Sequence, residues 1–209
     1  MAATSTHRAG AAPSEQGDLF GSERTLPEGF VYAREFLSQQ GEADLLASIT
    51  ELPLTEAKYK AFTARRRTVS YGSKYDYDAN VLNEAPALPD FLISLREKVA
   101  RWTGLRAEDF VHGLVSEYRP GTPLGWHRDV PDFEVIVGVS LGGSCRMRLR
   151  PYRPGERNRR EDVIALDLEP RSAYQIRGTA RWGWQHSVAP TKELRHSITF
   201  RTARSQRAR

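Results

Sequence analysis

The run Val135-Ile136-Val137-Gly138-Val139-Ser140-Leu141 sets the fold class of this chain. A short apolar run that ends at Gly142-Gly143 is typical of a strand buried on both faces. Residues 145–150 then alternate between apolar side chains and arginines, which predicts a strand with one face in the core and one in solvent. The centre of the fold is therefore predicted to be β-sheet.

Strand patterns continue from this run in both directions along the chain. They are separated by Gly- and Pro-containing turns such as Arg119-Pro120-Gly121. Many short strands joined by such turns are typical of a β-sandwich or jelly roll. The other predicted strands cover residues 30–32, 111–118, 124–129, 163–168, 173–176, 185–188 and 195–201.

Two helices are predicted ahead of most of the strands. The first carries leucines at helical spacing through about residue 50, and Pro53 ends it. The second opens at Pro89 with Asp90 as N-cap, and Gly104 ends it. Residues 78–88 between the helices are predicted to be loop. The fold class is therefore α+β, with N-terminal helices and a β-barrel-like core.

The length of 209 residues fits one domain. We expect residues 1–17 to form a disordered leader, residues 18–203 the domain, and residues 204–209 a basic tail. Cys145 is the single cysteine, so an internal disulfide is excluded. No run approaches the roughly 20 apolar residues that span a bilayer, and no signal peptide is recognised. A monomeric cytoplasmic protein is the expectation.

The arginines are clustered, and the formal net charge is +5. Arg65, Arg66 and Arg67 are consecutive, seven arginines lie in residues 146–160, and four lie in residues 201–209. Guanidinium groups suit phosphate by geometry as well as by charge, which predicts a polyanionic partner. Solvated strand faces and a loose tail are the alternative interpretation.

Basic and aromatic side chains follow one another between residues 63 and 77. Arg65 and Arg67 precede Tyr71, Tyr75 and Tyr77, and the tyrosines have one parity, so they would share a face of an extended segment. Cations beside rings suit unpaired nucleic acid, because the cations hold phosphate and the rings stack on bases. The alternative is a tyrosine-rich turn packed on the core.

A His-x-Asp pair in the strand at 124–129 is the first sign of chemistry. In an extended strand positions i and i+2 share a face, so His127 and Asp129 would present a nitrogen and an oxygen side by side. His186 is the best third ligand. Two histidines and one carboxylate suit a non-haem Fe(II) site. For each histidine, the alternative is an ordinary surface or core residue that binds no metal.

The last predicted strand carries two arginines on a polar face. Arg195, Ser197, Thr199 and Arg201 share one parity, whereas Ile198 and Phe200 lie on the opposite, apolar face. A cation on an inward face needs an anion, and a dicarboxylate would satisfy both arginines. The alternative is that one arginine is structural or faces solvent.

Together these motifs resemble the AlkB family of Fe(II)/2-oxoglutarate dioxygenases. The order and spacing of the His-x-Asp pair, the second histidine and the two arginines match that family. The resemblance covers roughly residues 63–202 well and residues 18–62 loosely. Three further segments look like the family's Tyr-x-Pro-Gly turn, its strand after the metal pair and its closing strand, namely residues 118–121, 137–142 and 197–201.

The resemblance implies a double-stranded β-helix, or jelly roll, over roughly residues 111–202, with a nucleotide-recognition lid over roughly residues 63–80. His127, Asp129 and His186 would bind Fe(II). The cosubstrate 2-oxoglutarate would bind Arg195 and Arg201, with Tyr118 close by. The lid would contribute the tyrosines named above, and the arginines would hold phosphate.

The resemblance also implies a reaction. Oxidation of 2-oxoglutarate by O2 to succinate and CO2 would be coupled to hydroxylation of an N-methyl group, which leaves as formaldehyde. Typical substrates are 1-methyladenine and 3-methylcytosine, which would make the protein a DNA repair demethylase acting on methylated single- or double-stranded nucleic acid. A methylated base must leave its stack to react, and unstacking costs least for damaged or single-stranded bases.

Some positions depart from the family pattern. Ser116 and Ser197 stand where relatives often carry Asn, so their contact with the cosubstrate depends on a shorter hydroxyl group. Pro131 stands where some relatives carry an acidic residue, with Asp132 next to it, which leaves the preferred base open.

Three other functions remain open at this stage. An RNA, tRNA or protein demethylase would use the same scaffold. A nucleic-acid-binding module without turnover is possible, although such a module has no use for the full set of metal and cosubstrate residues. A His2Asp zinc site is disfavoured because a zinc hydrolase has no need of the paired arginines.

Overall fold

The computed structural model describes residues 25–59, 62–76, 81–156 and 158–205. Three α-helices and two single 3-10 turns occur in this part of the chain. The helices are α1 (Gln39–Thr50), α2 (Asp90–Thr103) and α3 (Gly178–Trp182), and the turns are Ala107–Asp109 and Arg160–Asp162. The strands are β1 (Phe30–Ala33), β2 (Thr55–Tyr59), β3 (Phe62–Tyr71), β4 (Ser73–Asp76), β5 (Val81–Glu84), β6 (Phe110–Tyr118), β7 (Leu124–His127), β8 (Phe133–Gly142), β9 (Cys145–Pro151), β10 (Ile164–Leu168), β11 (Ala173–Ile176), β12 (Trp184–Val188) and β13 (Arg195–Ala203).

Two antiparallel sheets form a double-stranded β-helix. The major sheet has the strand order β1-β11-β8-β13-β6-β3-β2, and the minor sheet has the order β10-β9-β12-β7. A separate hairpin joins β4 to β5. The predicted α+β class with a jelly-roll core is confirmed. None of the helices in the described ranges is long and apolar enough to cross a membrane.

The central run of β8, residues 135–139, is apolar because the strand lies between two cores. Ile136 packs between the two sheets with Met147 and Leu149 of the minor sheet. Val137 and Val139 point the other way and pack against the helices. Each fully buried aliphatic side chain contributes roughly 1.5–3 kcal/mol, so this strand anchors both layers.

The helices cover the outer face of the major sheet. Leu92, Leu95 and Val99 of α2 pack in one cluster with Ile198 and Phe200 of β13. The even-numbered residues of β13 therefore face the helices, and the odd-numbered arginines face the space between the sheets. This arrangement places the polar face of the last strand inside the barrel.

Two local predictions were wrong. Residues 81–84 form β5 rather than loop, because they pair with β4 through backbone hydrogen bonds that their mixed side chains do not signal. The N-cap of α2 is Pro89, so Asp90 is the first helical residue and no side chain caps the helix. The short helix α3 was not predicted. The predicted leader and the last four residues of the tail lie outside the described residues.

Candidate metal and cosubstrate centre

A narrow pocket opens between the two sheets and brings together the predicted metal and cosubstrate residues. Its walls come from the inner faces of β6 and β13 in the major sheet and of β7, β9 and β12 in the minor sheet. The predicted site residues that line it are His127, Asp129, His186, Arg195, Arg201, Tyr118, Ser116 and Ser197.

The three predicted metal ligands lie together at this pocket. His127 ends β7 and is directly opposite His186 of β12, with the ring centroids 4.2 Å apart. Asp129 follows two residues after His127, and its Oδ2 is 3.7 Å from Nε2 of His186. One ligand atom from each residue lies within 4.8 Å of the others, close enough to hold one ion. Two imidazoles and a carboxylate suit Fe(II).

The protonation of this cluster favours metal binding. Burial lowers the pKa of His127, and it lowers the pKa of His186 to about 3, so both imidazoles are neutral at neutral pH. Burial acts to raise the pKa of Asp129, but the positive charge of Arg201, with a smaller contribution from Arg181, outweighs it and holds that pKa well below its usual range. Metal ligands must be deprotonated, and all three are.

A backbone contact fixes the tautomer of His127. Nδ1 of this ring is 2.9 Å from the carbonyl oxygen of Gly125, so Nδ1 carries the proton and donates it. The lone pair of Nε2 is then left for a metal. Such a second contact orients a metal-binding histidine and raises its basicity.

Arg195 is a buried cation with an unsatisfied nitrogen. Its side chain is 2% exposed, and its Nε donates to Oγ of Ser140 at 3.0 Å. Its guanidinium carbon lies 5.0 Å from the ring centroid of Tyr118. Nη1 is buried and has no partner among the described residues. Because a buried guanidinium nitrogen without a hydrogen-bond partner is costly, Nη1 indicates an anionic ligand in the pocket.

Arg201 lies six residues further along the same face of β13, beside the metal cluster. Its Nε donates to Oδ1 of Asp129 at 2.8 Å. Its Nη1 is 3.1 Å from Nδ1 of His112, which accepts this hydrogen bond because burial and the charge of Arg201 lower the pKa of His112 to about 3. Arg195 and Arg201 thus line the same pocket from one face of β13, and their binding of a dicarboxylate stays a prediction.

The other predicted cosubstrate residues face the pocket from two neighbouring strands. Tyr118 is 3% exposed and lies opposite Arg195 in the β6–β13 register. Ser116 and Ser197 are direct cross-strand partners. All three line the pocket, and their contact with 2-oxoglutarate stays a prediction.

Most of the predicted substrate residues do not reach this pocket. The odd-numbered residues of β3 share the helix-facing side of the major sheet, so Tyr71 is 8% exposed within the helix-side core. Arg67 donates to Glu117 and to the carbonyl oxygen of Leu54. Arg65 is exposed.

The tyrosines do not share one extended face. Tyr71 ends β3, Gly72 turns the chain with a φ of +73°, and Tyr75 lies in β4, so the predicted common face is wrong. Tyr77 lies outside the described residues. Arg66, of the opposite parity, is the arginine of this segment that lines the pocket, and its Nη1 donates to the Tyr118 hydroxyl at 3.4 Å.

Two buried residues that position the site were not predicted from the sequence. His112 is 4% exposed and holds Arg201, as described above. Arg181 of α3 is 2% exposed, and its Nη2 donates to the carbonyl oxygens of Asp129, Val130 and Phe133 at 3.1, 2.7 and 2.9 Å. Arg181 thereby fixes the backbone that presents Asp129. No local motif marks either residue.

Comparison with known proteins agrees with this geometry. The family model described as "2OG-Fe(II) oxygenase superfamily" matches residues 29–207. The chain belongs to this superfamily. Fe(II), 2-oxoglutarate and O2 are therefore its implied metal and cosubstrates, and the His-Asp-His cluster and the unpartnered Arg195 nitrogen fit them.

The chain is similar in sequence to AlkB homologues. It is 29% identical over 80% of its length to the Xenopus tropicalis protein named tRNA (carboxymethyluridine(34)-5-O)-methyltransferase alkbh8. It is 26% identical over 89% of its length to the Arabidopsis thaliana protein named alkylated DNA repair protein ALKBH8 homolog. These matches cover 26% and 58% of the two relatives, so the chain spans well under two thirds of either protein.

A solved structure shows the same fold. The structure of OsALKBH1 superposes with a TM-score of 0.66 at 17% identity, over 86% of this chain and 99% of that one. The predicted resemblance to the AlkB family is confirmed by these likenesses taken together.

Proposed function

We propose that this protein removes N-methyl groups from bases in nucleic acid by oxidation, with 1-methyladenine and 3-methylcytosine as the type substrates. The observation that carries the proposal is the joining of the His127–Asp129–His186 cluster to two arginines in one pocket. The names of the relatives, which include a DNA repair protein and a tRNA-modifying enzyme, support a nucleic-acid substrate.

The protein's own residues have distinct tasks in this proposal. His127, Asp129 and His186 hold Fe(II), which supplies the activation of O2. Arg195 binds one carboxylate of 2-oxoglutarate through its buried Nη1, which has no partner among the described residues. Arg201 orients Asp129 and contacts the other end of the cosubstrate. The charged cosubstrate is then desolvated and fixed in one orientation, which favours a single reaction geometry.

The reaction balances as a coupled oxidation. 2-Oxoglutarate and O2 give succinate and CO2, and one oxygen atom of O2 enters the substrate C–H bond to give N-hydroxymethyl. This group then loses formaldehyde and leaves N–H on the base. DNA repair is the proposed biological context. RNA and tRNA are the alternative substrates, because one relative is named as a tRNA-modifying enzyme.

The test is formaldehyde release from a single-stranded oligonucleotide that carries 1-methyladenine or 3-methylcytosine. Fe(II), ascorbate and 2-oxoglutarate are present, and His127→Ala is the control. Release by the wild type alone supports the proposal, and matched DNA and RNA oligomers then rank the substrates. If succinate forms but none of the oligomers releases formaldehyde, the oxygenase activity is supported and the proposed methylated-base substrate is wrong.

A further inference from the structure

Three arginines on the outer face of the minor sheet are stacked on aromatic rings. The guanidinium carbon of Arg128 lies 3.6 Å from the ring centroid of Tyr152. Those of Arg148 and Arg150 lie 5.2 and 4.3 Å from the ring of Trp126. We call these five residues the arginine face. It lies on the opposite side of β7 and β9 from the pocket.

The three guanidinium groups have no acidic partner. In the part of the chain that the structure describes, no carboxylate oxygen lies within 4.0 Å of any of them. Arg146, on the same side of β9, differs in this respect. Its Nε and Nη2 bind both carboxylate oxygens of Asp167 at 2.8 Å. The arginine face therefore concentrates positive charge that no acidic residue in the described part of the chain compensates.

The side chains on this face are held in place rather than free in solvent. Nε of Arg148 donates to Oγ of Ser187 at 3.1 Å, and Nε of Arg150 donates to Oε1 of Gln185 at 2.9 Å, both across the β9–β12 pair. Nη1 of Arg128 donates to the carbonyl oxygen of Trp182 at 3.1 Å. For Arg148 and Arg150 these contacts use Nε alone, so both terminal nitrogens remain as donors.

A fixed planar guanidinium with free terminal nitrogens is the group that binds phosphate oxygens in a bidentate manner. A solvated face does not require such order, because an exposed arginine loses rotamer entropy when it is fixed and gains nothing from neighbours of like charge. Stacking on Trp126 and Tyr152 positions the charges for an anionic ligand, which the described residues do not provide.

We propose that the arginine face binds the phosphodiester backbone of a single-stranded nucleic acid. This inference rests on the proposed function, because a nucleic-acid substrate gives the face its biological role. Arg128 lies between two metal ligands in sequence, one residue past the end of β7, and its guanidinium stacks on Tyr152, one residue past the end of β9. A strand whose methylated base enters the pocket therefore crosses the edge of the minor sheet, and its flanking phosphates reach Arg128 first and then Arg148 and Arg150.

The test is the binding of an unmodified, fluorescently labelled single-stranded 12-mer, measured by anisotropy across a range of salt concentrations. The triple variant Arg128→Gln, Arg148→Gln, Arg150→Gln is compared with Arg146→Gln, whose arginine is already paired with Asp167. The logarithm of the binding constant falls with the logarithm of the salt concentration, and each lost phosphate contact makes this negative slope shallower by about 0.7. The slope of the triple variant is therefore expected to be shallower by about 2 than that of the wild type. Arg146→Gln is expected to bind as the wild type does.

An unchanged slope in the triple variant, or an equal loss in Arg146→Gln, would overturn the proposal. Thermal unfolding checks that the triple variant is folded. If it is not, the three single variants replace it, each with a slope expected to be shallower by about 0.7. The methylated-oligonucleotide assay is separate. Formaldehyde release by the wild type with an unchanged slope rejects this face alone, and a shallower slope without formaldehyde rejects the proposed base oxidation alone.

Discussion

Arg201 is joined to the candidate metal cluster by a hydrogen bond to Asp129. Its Nε donates to Oδ1 of Asp129 at 2.8 Å, while Oδ2 of the same carboxylate lies 3.7 Å from Nε2 of His186. One carboxylate oxygen is thus oriented by the arginine and the other faces the second histidine. We infer that Arg201 supports metal binding as well as the binding of 2-oxoglutarate.

Replacement of Arg201 is therefore expected to weaken both ligands. In Arg201→Gln, Asp129 loses its orienting charge and its pKa rises, so the affinity for Mn(II), used in place of Fe(II), falls by about 10–100-fold, as for other residues that orient metal ligands. The affinity is measured by titration calorimetry without cosubstrate. Arg195→Gln is the control, because Arg195 contacts Ser140 and not the metal cluster. Equal Mn(II) affinity in both variants would show that Arg201 has no part in the metal site.

Arg195 is expected to recognise the second carboxylate of the cosubstrate. Arg195→Gln removes a charge-assisted hydrogen bond worth about 1.5–3 kcal/mol, which corresponds to a loss of roughly 10–150-fold in 2-oxoglutarate affinity. The measurement is calorimetry with Mn(II)-loaded protein under exclusion of oxygen. The matched ligand is 2-oxobutyrate, a keto acid that lacks the second carboxylate. The variant should bind 2-oxobutyrate as the wild type does, and an equal loss for both ligands would place Arg195 elsewhere in recognition.

The stability of the metal-free protein is expected to fall in mild acid. Burial lowers the pKa of His112 and of His186 to about 3 in the folded protein, against about 6.5 in the unfolded chain. The unfolded chain therefore binds more protons between these values, and the free energy of unfolding falls as the pH falls through that window. Each histidine accounts for about 2 kcal/mol between pH 7 and pH 5.

His112→Gln isolates one of these two contributions. Urea unfolding in the presence of a chelator, at pH 7 and at pH 5, should show a pH dependence about 2 kcal/mol smaller in this variant than in the wild type. The comparison uses the difference between the two pH values, so a general loss of stability in the variant cancels. An identical pH dependence would mean that His112 titrates in the folded protein as it does in the unfolded chain.

The sequence was most informative where a residue type and a period acted together. The alternation in β13 predicted that Arg195 and Arg201 share a face, and the structure places both at the pocket because Ile198 and Phe200 pack on the helices. His112 was not predictable, because only the pairing of β6 with β13 brings it opposite Arg201.

Parity failed where the chain turns. The tyrosines were assigned to one face on the assumption of a continuous strand, but Gly72 separates β3 from β4. Pairing with β6 also determines that Tyr71 faces the helices and Arg66 faces the pocket, and nothing local in the sequence distinguishes these two sides. Strand pairing is a long-range property, so residues that depend on it are recognised only in the fold.

Gly138 is expected to be irreplaceable because of Tyr174. The two residues are cross-strand partners in β8 and β11, and a Cβ atom on Gly138 would overlap the Tyr174 ring, which lines the pocket and stacks on Phe30. Gly138→Ala must displace this partly buried ring, which costs roughly 1–3 kcal/mol of unfolding free energy in urea. Gly125→Ala is the control, since nothing lies within 4 Å of its added Cβ. In a Tyr174→Ala background the penalty of Gly138→Ala should largely disappear, and a penalty that persists there would assign it to the backbone instead.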